Sequence, residues 1–155
     1  MKSTFALILF ALCLVSAQAA FGETLYPVFG PRAVQAAPPA MTARFNGTAL
    51  GKFTLVETNG ESFQGKWSYV TASFVNSKTP QDPAAFLPQP NLAFAWDAVY
   101  GQGYFLAKAV DQRMRQVVVT GNHGTTMQVE CLPGAFPSFY GIAVDSKGNI
   151  YKVVP

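Results

Sequence analysis

The chain is poor in the residues that most site chemistry needs. Its 155 residues include 1 histidine and 2 cysteines, and charged residues make up only 12%. A zinc site wants three or four convergent donors, and one His with scattered carboxylates offers no such spacing, so no metal and no other cofactor is expected. So little charge also excludes a disordered tail or a solvated coiled coil. Basic residues outnumber acidic ones by only 11 to 8. They are dispersed along the sequence, and the tightest pair, Arg113 and Arg115, lies beside Asp111 in what reads as a turn. Nucleic-acid binding needs a clustered basic face, so no nucleic-acid partner is expected. Long apolar runs are scarce as well. A spanning helix takes about 20 apolar residues, and no stretch of the expected mature protein approaches that, so no transmembrane helix is expected there.

The one notable apolar run stands near the start. Lys2 precedes an unbroken apolar stretch from Phe5 to Val15, and Ala17-Gln18-Ala19 follows with small residues where a signal peptidase reads them. Residues 1–19 therefore read as a signal peptide, cut after Ala19 or Ala20, with the protein exported to the periplasm or the medium. Cys13 lies inside the run behind the bulky Leu12, which argues against a lipid anchor. Removal of Lys2 leaves 10 basic against 8 acidic residues, a net charge of +2. It also leaves Cys131 alone, so an intramolecular disulfide is excluded and the apolar core must hold the fold. In the stretch from Thr126 to Cys131, alternation puts Met127, Val129 and Cys131 on one face and Gln128 and Glu130 on the other. Cys131 is expected to be a small core residue.

What is abundant is apolar and aromatic: 50% hydrophobic residues and 14% Phe, Trp and Tyr. Residues 20–40, with Pro27, Pro31, Pro38 and Pro39, read as an extended arm, because proline lacks a donor and fixes φ. Residues 41–155 read as a single β domain of short apolar runs broken by Asn, Gly and Asp. Asn59-Gly60 suits a two-residue type I′ turn. The strand after it alternates, with Phe63, Trp67 and Tyr69 inward and Gln64, Lys66 and Ser68 outward. Gly65 falls on the apolar face, where a large neighbour or a bend is expected. A long loop is expected near 76–91, around Pro80, Pro83 and Pro88. Beyond it, 92–100 and 104–110 read as strands that are apolar on both faces. Strands over 115–120 and 125–132 flank a turn at 121–124, and strands over 140–144 and 149–153 flank another at 145–148. The sum is an all-β, antiparallel domain of about eight strands, closed into a small barrel or folded as a two-sheet sandwich.

Several blocks carry a resemblance: Leu25-Tyr26-Pro27-Val28-Phe29-Gly30-Pro31, Gly65-Lys66-Trp67-Ser68, Val99-Tyr100-Gly101-Gln102-Gly103, Gly121-Asn122-His123-Gly124, and the segment from Gly141 to Lys152. Together these resemble a group of small exported bacterial β-rich proteins, many of them lipoproteins, with no assigned activity. The resemblance implies bacterial export and one structural unit, and no catalytic residue.

A hydrolase could in principle use Cys131, His123 and Asp145. Eight strand residues separate the first two, about 26 Å at 3.3 Å per residue, so His123 is expected to be an exposed turn residue. Asp145-Ser146-Lys147-Gly148-Asn149 superficially resembles a calcium loop, but Lys147 replaces an oxygen ligand and a hairpin fits better. Glu57 and Glu61 flank the Asn59-Gly60 turn and read as solvated carboxylates. Trp67, Tyr69, Trp96, Tyr100 and Tyr104, with Phe63, are the candidate ligand-binding residues, gathered around a barrel mouth; the alternative is that they are core. The expected function is therefore that of a non-catalytic binding domain, either a protein-interaction or cell-envelope accessory module. A small apolar-ligand carrier and an inhibitor of a foreign hydrolase remain as alternatives.

Overall fold

The computed structural model describes residues 22–71, 92–108, 113–135 and 138–155. The expected signal peptide, 1–19, and the expected loop, 76–91, lie outside the described residues. Eight strands form one closed antiparallel barrel: β1 (Gly22–Phe29), β2 (Met41–Asn46), β3 (Leu50–Val56), β4 (Ser62–Thr71), β5 (Arg113–Thr120), β6 (Thr126–Pro133), β7 (Phe139–Asp145) and β8 (Ile150–Val154). Each strand pairs with its neighbour in sequence. The ring shuts where β1 meets β8, with Leu25 opposite Val153 and Tyr26 opposite Lys152. The small barrel is thus the architecture adopted, and the sandwich is not.

Alternation decides what fills it. Leu25, Ala43, Phe53, Leu55, Phe63, Trp67, Val129, Cys131, Ala143, Tyr151 and Val153 point inward and pack as one core. Eight strands enclose just enough width for such side chains to meet. Cys131 is free and buried among them, as expected. Gly65 faces Val119 so closely that a Cβ there would collide with Val119 Cγ1. The expected large neighbour is therefore present, and it crosses from β5 to β4.

Three hairpins at one end share a single turn. Glu57 N donates to Glu61 O at 2.8 Å, Gly121 N to Thr125 O at 2.7 Å and Asp145 N to Asn149 O at 3.1 Å. Each closes a three-residue loop whose last residue is a left-handed glycine: Gly60 at φ +83°, Gly124 at +88° and Gly148 at +82°. Such loops combine a type I turn with a residue in the left-handed region. At Asn59-Gly60 this corrects the expected two-residue turn: the loop has three residues, and Gly60 takes the left-handed position that closes it.

Two segments differ from expectation in kind. The arm expected over 20–40 contains β1, a full barrel strand. Pro27 is tolerated there because the ladder with β8 slips between Pro27 and Phe29, and a bulge is where a missing donor costs least. The strands expected over 92–100 and 104–110 are instead helices, α1 (Leu92–Tyr100) and α2 (Tyr104–Lys108), inserted between β4 and β5. In α1 the buried or half-buried apolar residues are Leu92, Ala95, Trp96, Val99 and Tyr100, and Ala93, Phe94 and Ala98 are exposed. That is the i, i+3, i+4, i+7 spacing of one helical face.

This helical layer covers the outside of the wall. Ala95, Trp96 and Phe105 pack with Met114, Leu132, Ile142, Val144 and Ile150 in a second core. Gln128 and Glu130, on the face of β6 opposite Cys131, are therefore buried at 5% and 1% exposure.

Candidate functional site

The five aromatic residues expected to share one mouth are divided between two places. Trp67 and Tyr69 lie inside the barrel at the end where β1 starts and β8 finishes, edge to face with centroids 5.3 Å apart. Trp96, Tyr100 and Tyr104 lie outside the wall, in the helical layer. There Tyr100 and Tyr104 stack at 4.9 Å, Trp96 and Tyr104 at 6.3 Å, and the Tyr104 hydroxyl lies 3.2 Å from that of Tyr140. The Tyr100 hydroxyl reaches Gly141 O at 3.1 Å and Val153 O at 3.2 Å, which ties the end of α1 to the seam between β7 and β8. Burial pushes the Tyr100 hydroxyl's pKa well above its usual value, with Cys131, Tyr104 and Tyr140 adding to the effect. The outer group is thus engaged in docking helices.

The inner group is different because it surrounds a charge. Arg115 stands in β5 on the same face as the buried Val117 and Val119, so strand parity carries its side chain into the barrel. Its guanidinium carbon lies 3.4 Å from the ring centroid of Phe139 and 4.3 Å from that of Trp67, with Phe45 at 5.7 Å and Tyr69 at 6.0 Å. Such cation–π contacts contribute about 2 kcal/mol when desolvated. Trp67 is pinned by donating from Nε1 to Asn46 O at 2.9 Å. Arg115 Nε is buried without a hydrogen-bond partner among the described residues, and so is Oε2 of Glu23. Glu23 points inward from β1 at 2% exposure, and burial raises its pKa to about 7 against the partial opposition of Arg115. Arg115 retains 9% exposure. Arg113 flanks the group from the exposed surface, 6.0 Å from the Tyr69 ring.

The mouth's charged pair is hidden in the sequence because Arg113 and Arg115, close to Asp111, read as a turn. The signal that reveals it is the alternation of Arg115, Val117 and Val119, which a strand beginning at Arg113 makes plain. Glu23 is hidden in the same way, since the prolines of 20–40 read as an arm.

The nucleophile constellation is not brought together. Asp145 pairs with Met127, four residues along β6 from Cys131, which pairs with Gly141. The Asp145 carboxylate accepts from Asn149 N at 2.9 Å, Lys147 N at 2.9 Å, Asn149 Nδ2 at 2.8 Å and the Tyr151 hydroxyl at 2.8 Å. Burial, with Glu23 adding, pushes the Cys131 thiol pKa well above its usual value, so it stays protonated and a poor nucleophile. His123 is exposed in its turn, as expected.

Glu57 and Glu61 are not solvated. Both are buried at the opposite end, at 3% and 0% exposure, because the β3–β4 loop folds over the barrel. Glu61 accepts from Thr125 N at 2.9 Å, Thr125 Oγ1 at 2.7 Å and Lys147 Nζ at 3.1 Å. Burial alone would raise its pKa, yet these bonds hold it below the usual carboxylate value. Glu57 Oε2 pairs with Arg32. Among the described residues no three His, Cys, Asp or Glu side chains converge as a metal site would require, and no helix is long and apolar enough to cross a membrane. Comparison with protein-family models, with curated proteins and with solved structures finds no match to this protein.

Proposed function

We propose that this protein is an exported, non-catalytic β domain that acts as a protein-interaction or cell-envelope accessory module. The observation that carries the reading is the filled interior: Leu25, Phe53, Phe63, Trp67 and Tyr151 meet inside the barrel at 0–1% exposure. A carrier would need a lumen of several hundred cubic ångströms, and these side chains occupy that space. Contacts then fall to the mouth and the outer surface. On that surface Phe29 and Phe94 pack edge to face at 6.4 Å, beside the exposed Tyr26 and Val28. Apolar groups left outside in this way are a common feature of partner-binding surfaces. The leader pattern of residues 1–19 supports export.

The test is affinity capture of cell-envelope proteins on the protein from residue 20 onward, combined with native mass spectrometry of the purified material. One or a few specifically enriched proteins and a ligand-free mass are expected. A bound lipophilic molecule at 1:1 stoichiometry with no enriched protein would overturn the reading in favour of a carrier.

A further inference from the structure

We propose that the barrel mouth takes the carboxylate of an aspartate or glutamate side chain from a partner protein, held by the guanidinium edge of Arg115 between Trp67 and Phe139. This rests on the interaction reading above. The guanidinium carbon lies 4.3 Å from the Trp67 ring centroid and 3.4 Å from that of Phe139, so aromatic rings already pack against it and its N–H groups are the donors left for a ligand. Arg115 enters no ion pair among the described residues, and its buried Nε has no acceptor. A planar, pre-oriented fork of this kind matches a carboxylate in bidentate geometry.

The surroundings narrow the ligand class. Glu23, buried on the same inner face and interacting electrostatically with Arg115, opposes a dianionic phosphate more strongly than a monoanionic carboxylate. The aromatic walls suit the methylene stem of an acidic side chain. The terminal carboxylate of a polypeptide would instead bring a peptide group needing its own donors, and the Trp67 N–H is already given to Asn46 O. Arg113 adds a second positive charge at the rim, so the mouth is complementary to an acidic protrusion.

The experiment follows the Arg115 Nε–Hε signal by NMR while the protein is titrated with N-acetyl-glutamate α-amide. The comparison probes are N-acetyl-glutamine α-amide, N-acetyl-alanine and inorganic phosphate. A saturable shift with the glutamate probe is expected, with binding roughly tenfold weaker in Arg115→Lys, which keeps the charge and loses the fork, and absent in Arg115→Gln. Amide spectra establish that each variant is folded; if Arg115→Gln is not, the Arg115→Lys result decides. An unsaturable response, equal binding of the glutamine probe, or tighter binding of N-acetyl-alanine or phosphate overturns the proposal. Envelope capture with wild type and Arg115→Lys separates the two readings. Equal capture by both leaves the interaction module standing and overturns the carboxylate site, whereas no capture by either removes the module and the proposal with it.

Discussion

The indole N–H of Trp96 donates to Glu130 Oε2 at 2.9 Å, joining helix α1 to the outer face of β6. The other carboxylate oxygen accepts from Gln116 Nε2 at 3.0 Å. Burial pushes the Glu130 pKa up while both bonds oppose it, so the pair depends on every partner it has. Replacing Trp96 by Phe keeps most of the packing and leaves a buried acceptor unsatisfied, at a cost of about 1–3 kcal/mol. Urea unfolding of Trp96→Phe measures it. A loss below about 0.5 kcal/mol, the range of neutral surface changes, would mean that the bond contributes nothing.

Glu23 makes stability depend on pH in an unusual direction. Its pKa rises from 4.5 unfolded to about 7 folded, so the native state binds the extra proton between those values. The contribution is fully favourable below pH 4.5 and is lost as pH rises through about 7. Glu23→Gln removes it, so the stability gap between wild type and variant should shift by about 2 kcal/mol in favour of the variant between pH 4.5 and pH 8. Parallel denaturation curves across that range decide the matter, and a constant gap would contradict the raised pKa.

Gly65 and Val119 should behave as a coupled pair. Gly65→Ala forces a methyl into Val119 Cγ1, and overpacking of this sort costs about 1–3 kcal/mol. Val119→Ala removes the obstacle at the expense of a cavity. In a double-mutant cycle the Gly65→Ala penalty should shrink by at least about 0.5 kcal/mol when Val119 is already alanine. Strict additivity would show that the two residues do not meet.

Arg32 fastens the segment between β1 and β2 across the closed end. Its backbone N–H donates to Asn149 Oδ1 at 2.9 Å, and its guanidinium pairs with Glu57, whose side chain is 1% exposed. Arg32→Ala strands that carboxylate in the interior, and breaking a buried pair costs about 3–5 kcal/mol. The added variant Glu57→Gln should restore part of the loss. Limited proteolysis between residues 33 and 40 should accelerate in the single variant; unchanged cleavage would mean that the segment is held by other contacts.

Most of the barrel is legible in local pattern. Phe63, Trp67 and Tyr69 on one face of β4, and the turn residues Gly60, Gly124 and Gly148, follow from backbone stereochemistry that any polypeptide of these residues obeys. The helices are not legible, for an equally physical reason. In the stretch from Leu92 to Tyr100, Leu92, Phe94, Trp96, Ala98 and Tyr100 satisfy a period of two, and Leu92, Trp96, Val99 and Tyr100 satisfy one of 3.6. Only the presence of a second apolar surface to cover, Ile142 and Val144 on the outside of β7, selects the helix. Pro27 misleads in the opposite sense, because the bulge that accommodates it depends on where β8 lies. The mouth is half legible: its aromatic residues stand out, whereas Arg115 and Glu23 become site residues only once the ring closes and both point into it.

Of the eight ladders, seven join strands consecutive in sequence, and the eighth joins β1 to β8. Most of these neighbours are joined by short loops and β4 and β5 by the helical insertion, while the last seam must bring Leu25 to Val153 against the entropy of nearly the whole polypeptide. Glu23, carried by β1, comes to face Arg115 across the mouth only when that seam forms, so the barrel brings these two buried titratable side chains together as its ring is completed.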